Sequence, residues 1–168
     1  MTEIQTGLST VDAATIWAYA SRTLTQTVQA ASVQAVITSG KVTVYRSGHW
    51  SIAITGLGSL ASYTRTIFTV KSNHHTTTDA TAAVQIDSVT GLLIINGGTA
   101  TTAANGSLTV NDATLGNITI VLKDTESDKL TEGIYYYDVR GIDASGNAQQ
   151  KAAPQTLEIV HPVTRAIV

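Results

Sequence analysis

Gly133-Ile134-Tyr135-Tyr136-Tyr137-Asp138-Val139-Arg140 alternates in the manner of a half-buried strand, and the turn residues Asp143 to Asn147 follow closely. Beyond that turn, Thr156 to Val160 reads as a second strand that folds back on the first. The same texture continues toward the N-terminus. Asn117 to Lys123 places Ile118, Ile120 and Leu122 on one face, and Ser107 to Val110 and Leu92 to Ile95 are shorter strands. Ala80, Ala82, Val84 and Ile86 alternate inward, and Arg65 to Lys71 sets Phe68 and Val70 on one face. Lys41 to Arg46 and His49 to Thr55 flank Ser47-Gly48 and read as a tight hairpin, with Trp50, Ile52 and Ile54 aligned.

About eight or nine short strands at roughly ten-residue spacing, with no helix between them, predict an all-β fold. The expected architecture is an antiparallel β-sandwich, immunoglobulin-like or jelly-roll-like, over residues 41–168. Residues 1–40 have a different texture and are expected to form an N-terminal arm with one short helix. Ser9 or Thr10 can cap that helix, Asp12 sits in its first turn, and the pattern continues to Ala20. A helix of about ten residues does not stand alone in water, so it must dock. Ile16, Trp17, Tyr19, Arg22 and Leu24 are therefore the candidate assembly contacts.

Composition narrows the function. The chain has 168 residues, no cysteine and a formal net charge of −2, so disulfides and thiolate metal sites are excluded. Its ten Lys and Arg residues are scattered, which argues against nucleic acid as a partner. Charged residues make up 13% of the chain, about half the usual share, which suits a surface partly covered by neighbours. The start Met1-Thr2-Glu3-Ile4 lacks the pattern of a signal peptide, and no apolar run approaches membrane-spanning length. A soluble protein with no membrane partner is expected.

Motifs for chemistry are sparse. His74-His75 with Asp79 nearby is the best metal candidate, but adjacent histidines on extended backbone point apart, and a solvated loop is the expected reading. Asp124, Glu126 and Asp128 lack the calcium-loop glycine and terminal glutamate, and read as a solvated turn. No serine lies in a Gly-x-Ser-x-Gly elbow. No enzyme activity, cofactor or metal is expected. Trp50, Tyr135 and Tyr137 are the candidate binding surface, with carbohydrate or host recognition as the alternative function.

Val44-Tyr45-Arg46-Ser47-Gly48-His49-Trp50-Ser51-Ile52-Ala53-Ile54, followed by Thr66-Ile67-Phe68-Thr69-Val70-Lys71, resembles the N-terminal β-sandwich domain of phage baseplate upper proteins. Gly133 to Arg140 and Val163-Thr164-Arg165 extend the resemblance over residues 42–165, and Ile16 to Thr25 looks like a motif of phage structural proteins. The resemblance implies a non-enzymatic virion protein with other virion proteins as partners. Baseplate upper proteins continue into receptor-binding regions, whereas this sequence ends after the sandwich. That makes a cement or decoration protein on the capsid surface the expected role, with the tail baseplate close behind. A homotrimer is the expected state, since three-fold positions are common on shells and fibres.

Overall fold

The computed structural model describes residues 37–38, 41–75 and 78–162. The chain divides into two units, Met1–Ser32 and Val33–Val168, and every described residue belongs to the second. The helix expected from Ser9 to Ala20 lies outside the described residues. So do the contacts expected at Ile16, Trp17, Tyr19, Arg22 and Leu24, and the segment Val163-Thr164-Arg165.

The described strands are β1 (Ile37–Thr38), β2 (Lys41–Tyr45), β3 (Trp50–Ile54), β4 (Tyr63–Lys71), β5 (Val84–Asp87) and β6 (Gly91–Ile95). They continue with β7 (Gly98–Thr99), β8 (Gly106–Asp112), β9 (Asn117–Leu122), β10 (Gly133–Asp143) and β11 (Ala148–Val160). One helical turn, α1 (Asp124–Ser127), precedes β10. The larger sheet runs β1-β2-β11-β10-β4-β5-β6-β7 and the smaller runs β3-β9-β8. A five-strand run β11-β10-β4-β5-β6 facing β3-β9-β8 is the strand order of a variable-type immunoglobulin sandwich. The jelly-roll alternative is thereby set aside.

The alternation in the sequence builds the core directly. Trp50, Ile52 and Ile54 from β3 join Ile118, Ile120 and Leu122 from β9, all buried. Across the interface lie Phe68 and Val70 of β4, Val84 and Ile86 of β5, Val139 of β10, and Leu157 and Ile159 of β11. Phe68 and Tyr137 pack with ring centroids 5.5 Å apart. Antibody domains join the equivalents of β3 and β10 with a disulfide. This chain has no cysteine, and apolar packing occupies that place.

The hairpin expected at Lys41–Thr55 does not form. β2 pairs in parallel with β11, from Lys41 beside Thr156 to Tyr45 beside Val160, whereas β3 pairs with β9 in the other sheet. Val42 and Val44 thus bury themselves from one side of the core, and Trp50, Ile52 and Ile54 from the other. Arg46 to His49 is a crossover between sheets, and its tightness comes from local clasps. The Tyr45 carbonyl accepts from the Gly48 amide at 3.2 Å and from Trp50 Nε1 at 2.9 Å. The turn α1 completes the clasp: Ser127 Oγ donates to the Gly48 carbonyl at 2.8 Å, and Arg46 Nε donates to the Asp128 carbonyl at 3.1 Å.

The solvated turn expected at Asp124, Glu126 and Asp128 is corrected at Glu126 alone, since Asp124 and Asp128 are exposed. Glu126 is buried, and it accepts from Asn105 Nδ2 at 2.8 Å and pairs with Lys129 Nζ at 2.7 Å. Burial by itself raises its pKa, but bonds from Lys129 and Asn105 outweigh that and hold the carboxyl below its ordinary value.

Candidate functional site

The outward face of the larger sheet is built by the same alternation that builds the core. Phe68, Val70, Tyr137 and Val139 point inward, so their neighbours Thr69, Lys71, Tyr136, Asp138 and Arg140 point outward. The β4–β10 register sets Tyr136 beside Lys71 and Asp138 beside Thr69. Thr69, Lys71, His74, Tyr136, Tyr137, Asp138, Arg140 and Pro154 line a small pocket of about 40 Å³ there. That volume holds a few water-sized groups, since about 10–15 Å³ of such space admits one water.

Charge in the pocket is paired. Lys71 Nζ lies 2.7 Å from Asp79 Oδ1, and Arg140 Nη2 lies 3.2 Å from Asp138 Oδ2. Burial by itself would raise the Asp79 pKa, but the bond and charge of Lys71, with Arg140 behind it, hold it below the ordinary 3.8. Asp138 goes the other way. Burial pushes its carboxyl above 3.8, the like charge of Asp79 adds to that, and Arg140 and Lys71 offset it in part. Asp138 Oδ1 is buried and has no hydrogen-bond partner among the described residues. Such an acceptor costs about 1–3 kcal/mol of folding free energy. Residues that destabilise their own fold are expected at functional positions.

Asp138→Asn should therefore stabilise the protein by about 1 kcal/mol at neutral pH, because it removes a carboxylate from a dry position. The half-exposed Arg140 pair that it also removes contributes little. With a folded pKa above 3.8, the charged form is what the fold disfavours. The contribution of Asp138 to stability thus rises as pH falls through that raised pKa. Thermal unfolding at pH 7 and near pH 4 should show the gain of Asp138→Asn at the first and its loss at the second.

The expected binding surface is corrected on two of its three residues. Trp50 is 2% exposed and Tyr137 is 4% exposed, both in the core, because inward alternation takes them there. Tyr135 is half-buried, and its hydroxyl donates to the Thr131 carbonyl at 2.8 Å. A tyrosine at the start of this strand, bonded a few residues upstream, is the tyrosine corner of immunoglobulin-type sandwiches. Gly133-x-Tyr135-x-Tyr137 carries that signal in the sequence. The outward tyrosine of the run is Tyr136, whose ring meets His74 edge-on at 4.6 Å.

His74 and His75 stack on each other at 3.8 Å between ring centroids, and Asp79 is engaged by Lys71. Among the described residues, no group of three or more His, Asp or Glu is placed to hold a metal ion.

A second polar centre escaped the sequence reading. Asp87 is buried and closes the β5–β6 turn, its Oδ1 accepting from the amides of Val89 at 3.1 Å and Gly91 at 3.0 Å. Its Oδ2 pairs with Arg65. Gly91, at φ +96°, completes the turn where a Cβ would meet the Ala103 carbonyl oxygen at 2.6 Å. The Asp87-Ser88-Val89-Thr90-Gly91 spacing is a side-chain-capped turn signal, so this site is structural.

Fold and site together define an immunoglobulin-type sandwich with a polar pocket on the outer face of its larger sheet. No family model matches the chain, and no curated protein does. A solved structure from work on the multimeric cell-adhesive interactions of VGSC beta subunits is similar to it. The two are 17% identical, with a TM-score of 0.35, over 77% of this chain and 98% of that one.

Proposed function

We propose that this chain is a non-enzymatic recognition and assembly module whose working surface is the outer face of β4, β10 and β11. The observation that carries the reading is Asp138, a carboxylate at the pocket with one buried oxygen that has no hydrogen-bond partner among the described residues. A binding role is supported over catalysis by the pairing itself, since Lys71 is engaged by Asp79 and Arg140 by Asp138. The low charge content is in keeping with a surface that neighbours cover.

The larger assembly is proposed to be a bacteriophage particle, with other virion proteins as partners and a homotrimer as the unit. The support is the resemblance of residues 42–165 to phage baseplate sandwich domains. Capsid decoration is preferred to a tail position. Immunogold electron microscopy of purified phage particles from the source of the chain, with antibody against this protein, tests the proposal. Label over the head is the expected result, and label at one tail end would move the protein to the baseplate. Unlabelled particles would remove the exposed virion role.

A further inference from the structure

We propose that the free edge of β3 receives a fourth strand, the segment Arg22 to Val28 of a second copy of this chain. The inference is independent of the outer-face reading above, because it concerns an edge of the smaller sheet.

Immunoglobulin-type sandwiches build that sheet from four strands, ABED. Here it has three, β3-β9-β8, because β2 pairs with β11 in the larger sheet. The phase of the hydrogen bonds shows what the β3 edge offers. Gly106 faces Leu122, and one step further the Lys123 amide donates to the Asn105 carbonyl at 2.9 Å. Antiparallel bonds alternate, so Thr119 and Val121 bond to β8, while Ile118, Ile120 and Leu122 bond to β3. Their partners there are Ile54, Ile52 and Trp50. The N–H and C=O groups of Ser51 and Ala53 therefore point away from β9, and among the described residues nothing bonds to them. Ile52 is fully buried, whereas Ala53 is exposed and Ser51 partly so, which leaves this edge open to solvent.

Proteins usually guard such edges. β1 and β7, which end the larger sheet, are two residues long each, and β8 carries a register break between Val110 and Asp112. β3 runs five residues in regular register with no charge and no proline. An edge of that kind is a template for another strand.

The sequence names the occupant. Thr23 to Val28, outside the described residues, has no charge, glycine or proline. It sets Thr23, Thr25 and Thr27 on one face and Leu24, Gln26 and Val28 on the other. The threonines match the small outward side chains of Ser51 and Ala53, and Leu24 and Val28 extend the apolar row of Trp50, Ile52 and Ile54. Seven extended residues measure about 23 Å and cover the five of β3. The link from Gln29 to Val36 adds about 26 Å of reach from β1, enough to meet a neighbouring copy. Donor and acceptor are different surfaces, so the contact is heterologous and three copies can close it into a ring.

The test exploits the absence of cysteine from the full-length chain. Ala53→Cys is mixed under oxidising conditions with Thr23→Cys, Thr25→Cys or Thr27→Cys, and Thr109→Cys on exposed β8 replaces Ala53→Cys as the control. Intact mass is expected to show mixed disulfide dimers from at least one threonine position at about ten times the control yield, since the bond needs Cα atoms within about 7 Å. Gln26→Pro added to that donor is expected to lower the yield about tenfold without touching the sandwich. If Ala53→Cys does not fold, Ser51→Cys takes its place. Mixed dimers at the control level, or a yield that Gln26→Pro leaves unchanged, overturn the proposal. A disulfide that forms only within a chain carrying both cysteines also overturns it. Ala53→Cys homodimers that outnumber the mixed species overturn it as well, and assign the edge to β3 of a second copy.

Discussion

Replacing Trp50 with alanine will cost about 3–5 kcal/mol of folding free energy, which lowers the melting temperature by roughly 10–20 °C. Trp50 is among the largest fully buried side chains, and it stands at the start of β3 opposite Leu122. Its loss does more than open a cavity. The indole Nε1–H is one of two donors on the Tyr45 carbonyl, so truncation also loosens the crossover between the two sheets. Trp50→Phe separates the effects: it keeps most of the apolar volume and loses the hydrogen bond, for an expected cost of about 1–2 kcal/mol. Circular dichroism melts of both variants check this. A Trp50→Ala protein that melts within about 3 °C of the parent would contradict the burial assigned to Trp50.

Asp87→Ala is expected to cost about 3 kcal/mol, although Asp87 lies at a turn where substitutions are usually tolerated. The side chain is fully buried and already satisfied, with turn amides on one oxygen and Arg65 on the other. Alanine leaves the turn amides without their side-chain acceptor and the Arg65 guanidinium without its carboxylate, and the loss of both together sets the cost. Arg65 is 39% exposed, so water recovers part of its loss. Asp87→Asn retains an acceptor for the amides and should cost about 1–2 kcal/mol. Urea denaturation measures both. A loss below about 0.5 kcal/mol for Asp87→Ala would mean that the turn holds without its side-chain cap.

The contrast between Asp87 and Asp138 shows why one carboxylate supports the fold and the other strains it. Both are largely removed from water. Asp87 has amides and Arg65 on its two oxygens, whereas Asp138 has Arg140 on one and, among the described residues, no partner on the other. An unpaired acceptor inside a sheet face is difficult to explain by stability alone.

Much of the fold was legible. Period-two alternation placed Phe68 with Val70, and Ile118 with Ile120 and Leu122, on the faces they occupy. It also anticipated the pairing of the Gly133–Arg140 strand with the Thr156–Val160 strand. Pairing between distant strands was not legible, because a tight turn such as Ser47-Gly48 serves a hairpin and a sheet-to-sheet crossover equally well. Which of those forms depends on β11 and β9, more than 60 residues away, competing for the edges of β2 and β3. The site was less legible still. Alternation divides Tyr135 and Tyr137 from Tyr136 but does not say which side faces solvent. The outward polar residues Thr69, Asp138 and Arg140 gain meaning only when the β4–β10 register brings them together.

The central claim is that the outer face of the larger sheet carries the partner contact. Arg140→Glu on that face and Thr109→Glu on exposed β8 of the smaller sheet test it side by side, with the amount of each variant in purified particles measured by quantitative mass spectrometry. The account predicts that Arg140→Glu lowers incorporation about tenfold, as loss of a buried polar contact would, while Thr109→Glu incorporates normally. Normal incorporation of Arg140→Glu, with Thr109→Glu excluded, would place the contact on the opposite sheet and contradict it.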